Sequence, residues 1–142
     1  NDTIKNNLKT WLNNYRMISD TVDILDPYVL NLGINFIIRS KPGTNKFITL
    51  DSAMRTLKAH FSLNYYIGQT FSISDIYSVL KGVPDVLDVL KVKVIPKTGT
   101  GYSPAEIDIN ENISPDGDRI MIPKNAIIEV KFPEVDIVGK VR

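Results

Sequence analysis

Apolar residues recur near the start of the chain at Ile4, Leu8, Trp11, Leu12 and Tyr15, with Lys5, Asn6, Lys9 and Asn13 on the other side. That spacing is one face of an amphipathic helix. Two readings of the stripe stand side by side. It packs on the domain's own sheet, or it anchors a neighbouring subunit, since Trp and Tyr are favoured at interface hot spots. The run Thr21 to Leu25 alternates briefly, and Asp26-Pro27 marks an extended step because a residue preceding proline avoids the helical region. A long strand follows, with Leu30, Leu32, Ile34, Phe36 and Ile38 pointing one way and Asn31, Gly33, Asn35 and Arg39 the other. Lys41-Pro42-Gly43-Thr44 fits a type II turn, Gly43 supplying the positive φ.

Leu50, Ala53, Met54, Leu57 and Phe61 then predict a second helix from Thr49, a plausible N-cap, to about Asn64. Asn64 to Thr70 is rich in turn residues. The stretch Phe71 to Ile95 forms a complete unit. Ser72 stands as N-cap, Asp75 as a weaker capping-box partner, and Phe71 with Ile76 has the spacing of a hydrophobic staple. Gly82 offers a left-handed helix stop, Val83 is placed to reach back toward Tyr77 or Ser78, and Pro84 forbids continuation. A strand from Val86 alternates Leu90, Val92 and Val94 against a water-facing Lys91 and Lys93.

Pro96 to Pro104 and Asn110 to Asp118 have loop composition and bracket Ile107 and Ile109. Arg119 to Ile122 and Ala126 to Phe132 read as strands around a turn at Pro123-Lys124-Asn125. The order of elements predicts an α+β fold, helices on one face of a mainly antiparallel sheet, with a β-rich C-terminal part. The expected divisions are 1–19, an N-terminal amphipathic helix and candidate interface element; 20–96, an α+β core; and 97–142, a loop-rich β tail on or beside it.

The 142 residues suffice for one domain that buries roughly two-thirds of its unfolded surface without staples. Seventeen basic against sixteen acidic residues leave a net charge of +1, too little for a general field toward nucleic acid or an anionic membrane. Cysteine is absent, which excludes disulfides and thiol catalysis and fits a reducing compartment. No apolar run approaches the roughly 18 to 20 residues of a membrane span, and the start lacks a signal peptide. A first residue of Asn leads us to expect a piece of a longer chain.

Catalytic and ligand motifs mostly fail when assembled. Gly99-Thr100-Gly101 lacks the Gly-Lys-Ser/Thr and the helix start of a phosphate loop. Asn112, Ser114, Asp116 and Gly117 match part of a calcium loop, yet the position needing a bidentate Glu is Pro123, which leaves an Asp-Gly turn as the better reading. Ser78 and Lys81 have the spacing of some acyl-transfer nucleophiles, but Lys81 complements a helix C-terminus. His60 has no cysteine or second histidine for a zinc shell, and Asp85 with Asp88 reads as solvated charge. A nucleic-acid surface would use Lys91, Lys93, Lys97 and Arg119 with Tyr65, Tyr66 or Tyr102, but Asp88, Glu106, Asp108 and Asp118 lie among the lysines. Tyr65 and Tyr66 beside Ile67 read as a packing or subunit-contact cluster.

Several segments resemble the baseplate-J-like wedge proteins of contractile phage tails, in the C-terminal portion of the T-even-type form. They are Ile24-Leu25-Asp26-Pro27-Tyr28-Val29, Ile67-Gly68, Phe71-Ser72-Ile73-Ser74-Asp75-Ile76-Tyr77 and Gly82-Val83-Pro84-Asp85-Val86, then Ile122-Pro123-Lys124-Asn125-Ala126-Ile127 and Phe132-Pro133 to Val138-Gly139. The resemblance spans Asp20 to Gly139. Pro96 to Asp118 departs from it as a long insertion, and the family's large N-terminal part is missing. The resemblance implies a structural virion protein, assembled in the host cytoplasm into the tail baseplate. It would pair with itself, as a homodimer within a ring, and with other wedge subunits. Trp11, Tyr15, Tyr65 and Tyr66 are then the expected interface residues, and Pro27, Gly43, Ser72, Gly82 and Pro84 the structural ones. No catalytic, metal or cofactor residue is expected, and no nucleic acid, membrane or small-molecule substrate as partner. The alternative is a nucleic-acid-binding or other accessory domain of a larger protein.

Overall fold

The computed structural model describes residues 1–62 and 65–142. In chain order its elements are α1 (Asp2–Asn13), β1 (Tyr28–Ser40), α2 (Lys46–Phe61), β2 (Phe71–Ser72), α3 (Ile73–Lys81), β3 (Val86–Pro96), α4 (Ile109–Asn112), β4 (Arg119–Ile120), β5 (Ala126–Glu129), α5 (Pro133–Asp136) and β6 (Ile137–Val141). The fold is α+β, as the pattern predicts, with a mostly antiparallel mixed sheet.

Strand β1 is the spine because its alternation is so regular. Leu30, Leu32, Ile34, Phe36 and Ile38 are all buried on the face covered by α2 and α3. One edge of β1 pairs antiparallel with β3 from Leu32 to Ser40. The other edge takes two short parallel strands end to end, β5 beside Tyr28–Asn31 and β6 beside Ile34–Ile38. The C-terminal stretch thus completes the core sheet. Gly139 faces Phe36 across that ladder, and a Cβ there would lie 2.4 Å from the Phe36 ring and 2.8 Å from Leu50. Only glycine leaves room for those two side chains.

Helix α2 begins earlier than its apolar stripe suggests. Asn45, not Thr49, is the N-cap, its side chain accepting the Phe47 N–H at 3.0 Å. Thr49 is buried inside the helix and donates its hydroxyl to the Asn45 carbonyl. The first turn carries exposed Phe47 and Ile48, which fall off the stripe and hide the start. The expected end near Asn64 lies outside the described residues. At the preceding turn Gly43 has φ +82, and the Thr44 N–H donates to the Lys41 carbonyl.

Around α3 the cap is as expected, the Asp75 N–H donating to Ser72 Oγ at 3.2 Å with Phe71 and Ile76 both buried. The exit differs. Gly82 is not left-handed: it holds φ −73 and ψ −12 and closes the helix by donating its N–H to Ser78. The Val83 N–H reaches Leu80 rather than Tyr77 or Ser78. The positive φ falls on Asp85, at 69°, where Val83-Pro84-Asp85-Val86 turns with the Val86 N–H donating to the Val83 carbonyl. Proline fixes the first central residue, and Asp tolerates the left-handed second one better than most side chains do.

Strand β3 departs from simple alternation. Its pairing slips between Ile37 and Ile38 and again between Arg39 and Ser40, bulges that take Leu90 and Leu87 out of the ladder. Val86, Val89 and Val94 are therefore buried while Leu90 is 36% exposed, and Lys91 and Lys93 face water. A bulge inserts one residue and inverts the side-chain phase beyond it. Arg119–Ile120 joins β2 in a separate two-stranded ribbon, and β5 stops at Glu129 rather than Phe132.

Candidate interaction surfaces

Helix α1 starts from Asn1, whose side chain accepts the Thr3 N–H at 3.1 Å. It is tethered by its lysines. Lys5 pairs with Asp26, and Lys9 with Asp23 at 2.8 Å. Each lysine's hydrogen bond and charge hold its partner carboxyl below the usual carboxylate range. The apolar stripe is thereby left facing solvent: Ile4 is 65% exposed, Leu8 45%, Trp11 56% and Tyr15 72%. This corrects the reading in which the stripe packs on the chain's own sheet. Periodicity identifies the apolar face but cannot say which face docks, and here the Asp23 and Asp26 carboxylates select the polar one. Tyr15 lies just past the helix end, its ring 4.7 Å from that of Trp11. Met17 and Ile18 extend the exposed surface.

Tyr65 and Tyr66 part company. Tyr65 is half-buried, stacked on Phe61 and tilted against Phe71, and burial, then the Asp75 charge, pushes its phenol up to about 12. Tyr66 is 79% exposed. The sequence gives no sign of this difference between neighbours.

A buried polar latch lies on the face of β1 that carries Asn31 and Gly33, opposite the one α2 and α3 cover. Asn31, 2% exposed, donates to Glu129 and accepts the Ser103 N–H. Asp136, fully buried, accepts the Tyr102 hydroxyl at 2.6 Å and the Phe132 N–H at 2.9 Å, with Lys97 at 3.6 Å. The bond to Asp136, burial and the nearby negative charge together push the Tyr102 phenol up. Gly33 lets the Lys97 stem cross the strand, since a Cβ there would meet Lys97 Cε at 2.5 Å. With its carboxylate so occupied, this cluster ties the Pro96–Pro104 loop to the sheet, a role that loop composition does not reveal.

The remaining motifs are used locally. Ser78 donates its hydroxyl to the Ser74 carbonyl, and Lys81 lies 3.8 Å from Asp88. Ser114 to Gly117 forms a turn, the Gly117 N–H donating to Ser114, with Gly117 at φ +73. His60 meets Phe61 edge to face. Among the described residues no three His, Cys, Asp or Glu side chains cluster as a metal site, and no helix is long and apolar enough to cross a membrane. The candidate nucleic-acid set is dispersed: Lys91, Lys93 and Lys97 line one groove, Arg119 is on the β2–β4 ribbon, and Tyr102 is held by Asp136.

Three of the segments that carry the resemblance, around Tyr28, Gly68 and Asn125, meet in space. Tyr28 donates its N–H to Asn125 at 2.9 Å, and Gly68, with φ +72, donates to Ala126 at 2.7 Å. A Cβ on Gly68 would come within 3.2 Å of the Lys124 backbone. No protein-family model matches the chain, and no curated protein is significantly similar to it.

Proposed function

We propose that this chain is a structural subunit of the tail baseplate of a contractile bacteriophage, holding its place in the virion by self-association and by binding other wedge subunits. The observation that carries the reading is the outward stripe of α1. An amphipathic helix tethered by its polar face, with Trp and Tyr in ring contact on the solvent side, presents hot-spot residues to a partner. The tail-baseplate context comes from the resemblance of the segments that converge at the start of β1. These are positions where proline, glycine and backbone hydrogen bonds set the fold.

The proposed action is mechanical. A rigid α+β body carries a helix on a light tether, so subunits hold through α1 and exchange packings when the baseplate rearranges. Replacing Trp11 and Tyr15 together by Ala tests this by sedimentation equilibrium. Self-association should weaken by about 2 kcal/mol or more, the usual cost of truncating such an anchor, with the melting temperature unchanged. An undiminished oligomer with a lowered melting temperature would show that the two rings serve the fold instead.

A further inference from the structure

The outer face of the β3–β1–β6 sheet carries a cluster of lysines. In register, Lys91 and Lys140 flank Ile37, while Lys93 and Val138 flank Asn35. They line a groove of about 440 Å³ with an aliphatic floor of Ile37, Ile95 and Val138, and no carboxylate lines it. Lys97 at its end is drawn to Asp136, but Lys91, Lys93 and Lys140 are exposed and make no ion pair among the described residues. Like charges on neighbouring strands repel, so a partner supplying carboxylates would relieve this face.

The chain also holds the complementary surface. From residue 106 to 118 it has Glu106, Asp108, Glu111, Asp116 and Asp118 and no basic residue. All five carboxylates are exposed, and none is ion-paired among the described residues. Glu106 and Asp108 share a second groove with Lys93 and Ile95, so the acidic segment adjoins the lysine face around the free edge of β3. Adjacent patches of opposite sign are self-complementary under a two-fold axis, each copy offering its acidic segment to the other's lysines.

We infer that two copies of this chain pair in this way, the acidic segment 106–118 of each lying on the lysine groove of the other. The inference rests on the self-association reading above and adds a second contact to it, distinct from α1. Side chains make the contact, because the β3 edge is blunted: the Val92 N–H is bonded to the Tyr77 hydroxyl, and Pro96 has no N–H to offer. Phe36, the aromatic residue along the groove, is buried in the core and offers no exposed platform of the kind single-stranded nucleic acids stack on, which favours a polypeptide occupant.

The test uses Lys91→Glu with Lys93→Glu, and separately Glu111→Lys with Asp116→Lys, in sedimentation equilibrium. Wild-type association should weaken at least about tenfold between low and high salt, since exposed charge pairs are screened. Each charge-reversed protein alone should be monomeric under conditions where wild type pairs. Their equimolar mixture should pair again. A wild-type protein that is monomeric at low salt overturns the inference, as does a mixture that fails to pair. The salt series on unaltered protein decides the matter even if a variant does not fold. Loss of association on Trp11→Ala with Tyr15→Ala, but not on charge reversal, supports the α1 reading and overturns this one. The opposite pattern keeps this pairing and removes α1. A monomer whose oligonucleotide gel shift is lost on Lys91→Glu with Lys93→Glu would assign the face to nucleic acid instead.

Discussion

Single glycines in this chain do unlike work, and their contacts separate the cases. Gly82 holds ordinary helical angles, and a Cβ there would meet only the Val79 and Ser78 carbonyl oxygens at 3.4 and 3.6 Å. Gly139 faces two core side chains at clashing distance. Gly82→Ala should therefore stabilise the fold by about 0.4 to 1 kcal/mol by restricting the unfolded chain. Gly139→Ala should destabilise it by about 1 to 3 kcal/mol through overpacking. Urea unfolding of the two variants checks both, and a loss at Gly82 would return the left-handed cap to that residue. The sequence makes Gly82 look like the special position because glycine is the usual left-handed residue. Asp85 takes the conformation instead, since the turn after Pro84 needs it one peptide further on.

At the scale of elements, what could be read from the sequence was the local pattern. The β1 alternation, the Ser72 cap and the Pro42-Gly43 turn are each set by a few neighbouring residues. What escaped depends on residues distant in sequence. The β3 bulges answer to β1, β6 is a short glycine-broken run stabilised by its place beside β1, and the docking face of α1 depends on Asp23 and Asp26. Of the candidate sites, Trp11 and Tyr15 could be picked out from the sequence, while the lysine groove needed Val138 and Lys140 of β6. The α1 tether also has a testable pH dependence. Asp23 and Asp26 have lowered folded pKa values, so their contribution is present above the ordinary Asp value of about 3.9 and is lost as pH falls through the folded values. Backbone order parameters of α1 should drop on acidification below about pH 4 while those of β1 hold. An α1 that keeps its order once both carboxylates are protonated, as their own NMR titration reports, would show that the ion pairs are not what holds it.

The whole molecule pairs a well-buried body with an outward helix. Its core runs from β1 through α2 and α3 to the C-terminal strands, and the latch at Asp136 closes the loop side. The proposed role leaves the apolar stripe of α1 for another subunit to cover, and the chain carries its own reporter, since Trp11 is its single tryptophan. Trp11 fluorescence followed across a dilution series, with sedimentation on the same samples, tests this most directly. Dilute monomer should emit at the long wavelength of a solvent-exposed indole, shifting blue as the oligomer forms. A blue emission that does not change with concentration would mean that Trp11 packs within its own chain. A red emission that persists in the oligomer would place the interface elsewhere, and either result would contradict the claim.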